Sequence, residues 1–148
     1  MVIAAGNDEG TVSYPGTLPE VLTVGASNQW DQRKTRTSKD GEDWWGSNSG
    51  PALDLLAPGV QIRTTDIRGS RGYDLGSYTN RFNGTSSATP HVAGAAALIL
   101  SAAPDLKEAE VRDAITTTCD LLPGQKGWNV REGHGRLNAY AALRAALR

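Results

Sequence analysis

The chain has 148 residues, of which 39% are apolar and 21% charged, and its formal net charge is −1. That length suits one domain with a core of its own, and the mixture is that of a folded globular chain rather than a disordered one. The balanced charge gives no reason to expect a nucleic acid or an anionic membrane as partner, no apolar run approaches the roughly 20 residues of a membrane span, and the single Cys119 leaves no internal disulfide framework.

Residues 2–7, Val-Ile-Ala-Ala-Gly-Asn, read as an apolar strand running into a turn, the pattern of a buried parallel strand. Such a strand needs neighbours and none precedes it, so the chain reads as beginning in the middle of a fold. The start also lacks the charged and apolar regions of a secretory leader. Tyr14-Pro15-Gly16 is a turn by composition. Residues 20–26 form the next strand, with Val21, Leu22 and Val24 suited to a core. Residues 28–49 are polar, with Trp30, Trp44 and Trp45 set among charges and a short basic run at Arg33, Lys34 and Arg36; this is expected to be a solvated loop. Residues 54–59 make a strand ending in a turn, 61–65 a short strand, and 66–78 a loop rich in Gly and Arg. Residues 78–82 then lead into Asn83-Gly84, a strong turn signal.

Beyond that turn, Val92, Ala93, Ala95, Ala96, Leu98, Ile99 and Leu100 form an apolar run too long for an ordinary strand, which predicts a buried helix. Proline is tolerated in a helix's first turn, so Pro90 places the start near Ser86 or Ser87. The Ser86 hydroxyl then lies at a helix N-terminus, where developing negative charge is favoured. By residue type alone it is a cap or a nucleophile. Pro104 ends this helix. Asp105 and Glu108 have the spacing of a capping box for a helix with a Val111, Ala114, Ile115 face reaching about Thr118. A last helix is expected near 139–147, capped by Asn138.

Gly84-Thr85-Ser86-x-Ala88-x-Pro90-His91-Val92-Ala93-Gly94 resembles the catalytic-serine signature of the subtilisin-like serine proteases. Ala4-Ala5-Gly6-Asn7, Val21-x-x-Val24-Gly25-Ala26, Leu55-x-Ala57-Pro58-Gly59 and the stretch 133–138 are similar to further family motifs in the same order, and 45–50 is similar to a Phe-Ser-x-x-Gly pattern. The resemblance covers roughly residues 2–143. It implies a three-layer α/β fold with a mostly parallel sheet, of which residues 1–148 are the C-terminal portion of the peptidase domain. It implies a serine endopeptidase acting through an acyl-enzyme on Ser86, with the Asn7 amide donating to the oxyanion; the family is itself a standard example of that triad and that hole. Ala4, Ala5, Gly6, Ser13, Tyr14 and Gly16 would line part of the pocket for the substrate residue before the scissile bond, together with Gly84 and Thr85 of the serine motif. Asp8 would sit at its mouth and favour basic residues, and Pro15 is a candidate cis proline. Some relatives hold a weak cation near the 20–26 strand, but no dense carboxylate cluster occurs here, so no metal and no cofactor are expected. The sequon at 83–85 is rejected, because a sugar there would block Ser86. Extracellular action follows from the family's habit alone.

The resemblance also shows what these residues lack. The family's Asp and His motifs precede its serine, and both would fall before Met1. His91 belongs to the serine motif and His134 to a Gly-His-Gly turn, and the family gives neither the role of base. The expected partners are a peptide or protein substrate and an N-terminal half carrying Asp and His. Two other readings stand beside this one: an inactive protease half kept as a peptide-binding or interaction module, and a truncated piece whose exposed parallel edges would aggregate.

Overall fold

The computed structural model describes residues 1–147. Its centre is β2 (Leu22–Ser27), every residue of which is buried. It is flanked in parallel by β1 (Val2–Ala4) and β3 (Leu55–Pro58), giving the order β1-β2-β3. Alternation along these strands divides the apolar residues between two faces. Leu22, Val24, Ala26, Leu55 and Ala57 pack with Val92 and Ile99 of α1 (Thr85–Ala102). Leu56 turns the other way and joins Ala5, Val12, Leu53 and Leu122. A sheet covered on both faces is what parallel strands require. Burial of each large aliphatic side chain here contributes about 1.5–3 kcal/mol. The fold is thus mixed α/β around a parallel sheet, as the resemblance implies.

α1 begins one residue earlier than its proline suggests, with Gly84 as cap. Pro90 therefore lies beyond the first turn, and the Ser86 carbonyl loses the N–H that an ordinary residue at 90 would offer it. The expected burial of α1 holds for one face only. Val92, Ala95 and Ile99 are buried, whereas Ala93, Ala97, Leu98 and Leu100 are exposed, Leu98 by 55%. An apolar helix exposed on one side among these residues is a correction to the sequence reading.

α2 (Glu108–Thr116) buries Val111, Ala114 and Ile115 as expected, but its capping is shifted by two residues. The Lys107 N–H donates to Glu110 Oε2 at 2.8 Å, and Asp105 stays in the preceding turn. α3 (Ala139–Ala146) is capped by Asn138, whose Oδ1 accepts from the Ala141 N–H. β4 (Ile62–Thr65) and β5 (Tyr78–Phe82) form a separate antiparallel ribbon with a register shift between Ile62 and Thr64.

The largest correction concerns residues 28–49, which are a packed unit rather than a solvated loop. The Lys34 side chain is fully buried. Its ammonium pairs with Asp40 at 2.9 Å, donates to the carbonyls of Thr35 and Glu42, and lies 5.1 Å from the centre of the Trp45 ring. Trp45 is buried with it, while Trp30 and Trp44 are exposed. Burial pushes the Asp40 carboxyl up, but hydrogen bonds from Asn28, Ser38, Lys34 and the Glu42 N–H outweigh it and hold the group at about 2.

Candidate active site

Two turns meet at the C-terminal end of the sheet. One follows β1, where Gly6 takes φ +103 and delivers Asn7; the other precedes α1, where Gly84 takes φ +120. These values fall in the region that favours glycine. The Gly84 N–H donates to the Gly59 carbonyl at 2.9 Å. A Cβ on Gly59 would come within 2.8 Å of the Gly84 carbonyl oxygen, so the Ala57-Pro58-Gly59 turn is pressed directly against the serine turn.

Thr85, fully buried, joins the two turns. Its N–H and its hydroxyl both donate to Asn7 Oδ1, at 2.9 and 3.0 Å, and the same hydroxyl accepts from the Gly6 N–H at 3.1 Å. With Oδ1 taken by two donors, the orientation of the Asn7 amide is fixed. Its Nδ2 then lies on the Gly84 side, 3.4 Å from where a Cβ on Gly84 would sit. The first turn of α1 is accounted for donor by donor. The Thr85 N–H goes to Asn7, and those of Ser87 and Ala88 go to the Gly84 carbonyl at 3.0 and 3.3 Å. The Ser86 N–H has no partner among the described residues. An exposed serine hydroxyl therefore stands at the positive end of an 18-residue helix, with its own N–H and the Asn7 amide available to an anionic oxygen.

The other expected site residues lie on both sides of Asn7 in the chain. Ala4 ends β1, and Ala5 is buried with its N–H on the Val24 carbonyl. Ser13 and Tyr14 are exposed, and the Tyr14–Pro15 bond is cis. Gly16 is buried and its carbonyl accepts from the Thr23 hydroxyl at 2.6 Å. Asp8 is exposed at the surface of the same turn. His91 is exposed, with Nδ1 3.0 Å from the Ser87 carbonyl, and His134 is tied through its N–H to the Asp54 carbonyl. Neither is hydrogen-bonded to Ser86.

Asn48 was not singled out by the sequence reading. It is 5% exposed, and its Oδ1 accepts from the Asp8 and Gly10 N–H groups at 3.0 and 2.9 Å. Backbone bonds from Asn48 to Gly6 and from Ser49 to Gly10 lay 46–49 alongside the turn. No local pattern announces this, because the pairing spans some 40 positions. Among the described residues no three His, Cys, Asp or Glu side chains gather as a metal-binding group.

The model of the subtilase family matches residues 1–135. This chain belongs to the subtilase family. It is 40% identical to subtilisin of Bacillus pumilus over 148 aligned positions, covering 96% of this chain and 46% of that protein. It is 35% identical to a calcium-dependent protease of a Nostoc species, covering 99% of this chain and 24% of that one. Among solved structures it resembles a protease of Pseudoalteromonas arctica with a TM-score of 0.79 and 31% identity, over 98% of this chain and 42% of the other. It also resembles fervidolysin of Fervidobacterium pennivorans, described as a keratinolytic enzyme related to subtilisin, with a TM-score of 0.72 and 26% identity, over 97% and 22% of the two chains. The chain thus spans less than half the length of each of these relatives.

Proposed function

We propose that Ser86 is the nucleophile of a serine endopeptidase and that Asn7 and the Ser86 N–H form its oxyanion hole. The observation that carries this is the donor inventory: the first turn of α1 leaves one N–H open, at the serine itself, and Thr85 fixes the Asn7 amide so that its NH₂ is not consumed. In the step this supports, Ser86 Oγ bonds to the scissile carbonyl carbon while its proton passes to a base. The carbonyl oxygen becomes an oxyanion held by two N–H donors. The amine leaves with the proton, and water then cleaves the ester on Ser86. Asp8, exposed beside the pocket turn, would add a modest, salt-screened preference for a basic residue before the scissile bond.

The base and its orienting acid come from a part of the domain carrying His and Asp, and residues 1–148 by themselves are inactive. The exposed apolar face of α1 supports this, because a helix apolar all round is normally buried all round. The rest of the domain would cover that face and bring the base within reach of Ser86. The test is hydrolysis of a chromogenic peptide anilide by this chain mixed with the N-terminal part of a related subtilase domain. Activity in the mixture, absent from either part and abolished by Ser86→Ala, is expected. Activity that survives Ser86→Ala would overturn the assignment.

A further inference from the structure

A side-chain hydrogen bond through Glu42 ties the packed unit 28–49 to the serine turn. This residue is 7% exposed, and both carboxylate oxygens are engaged. Oε2 accepts from Trp45 Nε1 at 2.7 Å, and Oε1 accepts from Asn83 Nδ2 at 2.9 Å. Asn83 in turn accepts the Gln61 N–H on its Oδ1 at 2.5 Å. Asn83 immediately precedes Gly84, Thr85 and Ser86. The Glu42 backbone is itself held, because its carbonyl accepts from the buried Lys34 ammonium and its N–H donates to Asp40.

We infer that Glu42 is a positioning residue for the nucleophile: it clamps the Asn83 amide and so fixes the approach of the chain to Ser86. This rests on the reading of Ser86 given above. The chemistry selects a carboxylate in particular. Two N–H donors converge on Glu42 from opposite sides, and a carboxylate offers an acceptor oxygen to each. A glutamine would meet one of them with its own NH₂, leaving two donors opposed in a buried place. The Trp45 bond alone would satisfy one oxygen; the second oxygen couples this unit to the serine turn. Removing the Trp45 donor should therefore relieve a glutamine at position 42, whose carbonyl can then turn to Asn83.

The experiment follows amide hydrogen exchange at Gln61, whose N–H reports the Asn83 side chain, in the full 148-residue chain. Glu42→Gln is expected to speed exchange at Gln61 on the order of 10-fold, while Ile99 in α1 stays unchanged. In Glu42→Gln with Trp45→Phe, Gln61 should return to the rate seen in Trp45→Phe alone. Unchanged exchange at Gln61 in Glu42→Gln, or no recovery in the double variant, would overturn the inference. If Glu42→Gln fails to fold, Trp45→Phe decides. It should leave Gln61 protected, because Glu42 still holds Asn83, and a loss of that protection would count against the clamp. A second arm uses the reconstituted protease and a fluorophosphonate probe. Glu42→Gln should lower the maximal labelling rate without changing the half-saturating probe concentration, and a change in the latter alone would contradict positioning. Absence of labelling in the unmutated protein overturns the nucleophile reading instead, and the exchange arm still decides whether Glu42 holds Asn83.

Discussion

Replacing Lys34 by methionine keeps most of the apolar stem and removes the ammonium. In the native chain that ammonium is sealed from solvent and meets Asp40, the Thr35 and Glu42 carbonyls and the Trp45 face. Breaking one side of a buried ion pair costs about 3–5 kcal/mol, because the other charge is stranded. Asp40 would not be wholly stranded, since Asn28 Nδ2 at 2.9 Å and Ser38 Oγ at 2.6 Å still donate to it. The lower end, about 3 kcal/mol, is therefore expected. At about 2–4 °C per kcal/mol for a chain of this size, the melting temperature should fall by about 6–12 °C. Urea unfolding followed by tryptophan fluorescence measures the free-energy loss, with Trp45 as a reporter at the site, and a thermal melt followed by circular dichroism measures the shift in melting temperature. Adding Asp40→Asn to Lys34→Met removes the orphaned charge and should recover about half of the loss. A Lys34→Met chain within about 0.5 kcal/mol of the original would mean that the lysine is a surface residue in solution and that no buried pair with Asp40 forms.

Three other outcomes follow from the same contacts. Asp40 is held at about 2 against an ordinary 3.8, so its contribution is nearly complete above about pH 4 and is lost as pH falls toward 2; solvent screening reduces the roughly 2 kcal/mol that such a shift would carry, and acid titration of stability should show a component of about 1–2 kcal/mol in that window, absent in Asp40→Asn. On the proposed reading of Ser86 and Asn7, Asn7→Ala should slow acylation of Ser86 by about 10–100-fold in a reconstituted protease, read as the rate of probe attachment. It also strips Thr85 of its acceptor, so exchange at the Thr85 N–H should accelerate together with it. Gly84→Ala forces a Cβ onto a residue at φ +120, and that backbone strain should cost about 1–3 kcal/mol in urea unfolding.

What the sequence showed and what it hid divide along chain distance. The strand at 22–27, the helix after Gly84 and the Asn138 cap were legible because each is written in local pattern: an apolar run, a turn pair, a capping side chain. Asn7 and Ser86 stood out through motif alone, since a Gly-Asn turn and a helix-capping serine are common; the structure adds the contact through Thr85 that brings their two turns together. Residues 28–49 were misread because Lys34 looks solvated in a polar run; its burial depends on Asp40, two carbonyls and Trp45 closing around it, which composition does not encode. The bonds of Asn48 to Asp8 and Gly10 and of Glu42 to Asn83 join segments some 40 positions apart, so no window along the chain contains both partners. The cap of α2 fell at Lys107 rather than Asp105 because Glu110 reaches back to the Lys107 N–H, leaving Asp105 in the turn.

Whether Ser86 is the nucleophile is decided by treating the chain, alone and combined with the N-terminal part of a subtilase domain, with a fluorophosphonate and locating the adduct by peptide mass spectrometry. An adduct on Ser86 is expected, formed in the combination and not on the chain alone, and lost in Ser86→Ala. An adduct on another residue, or none on Ser86 in a combination that hydrolyses peptides, would contradict that role for Ser86.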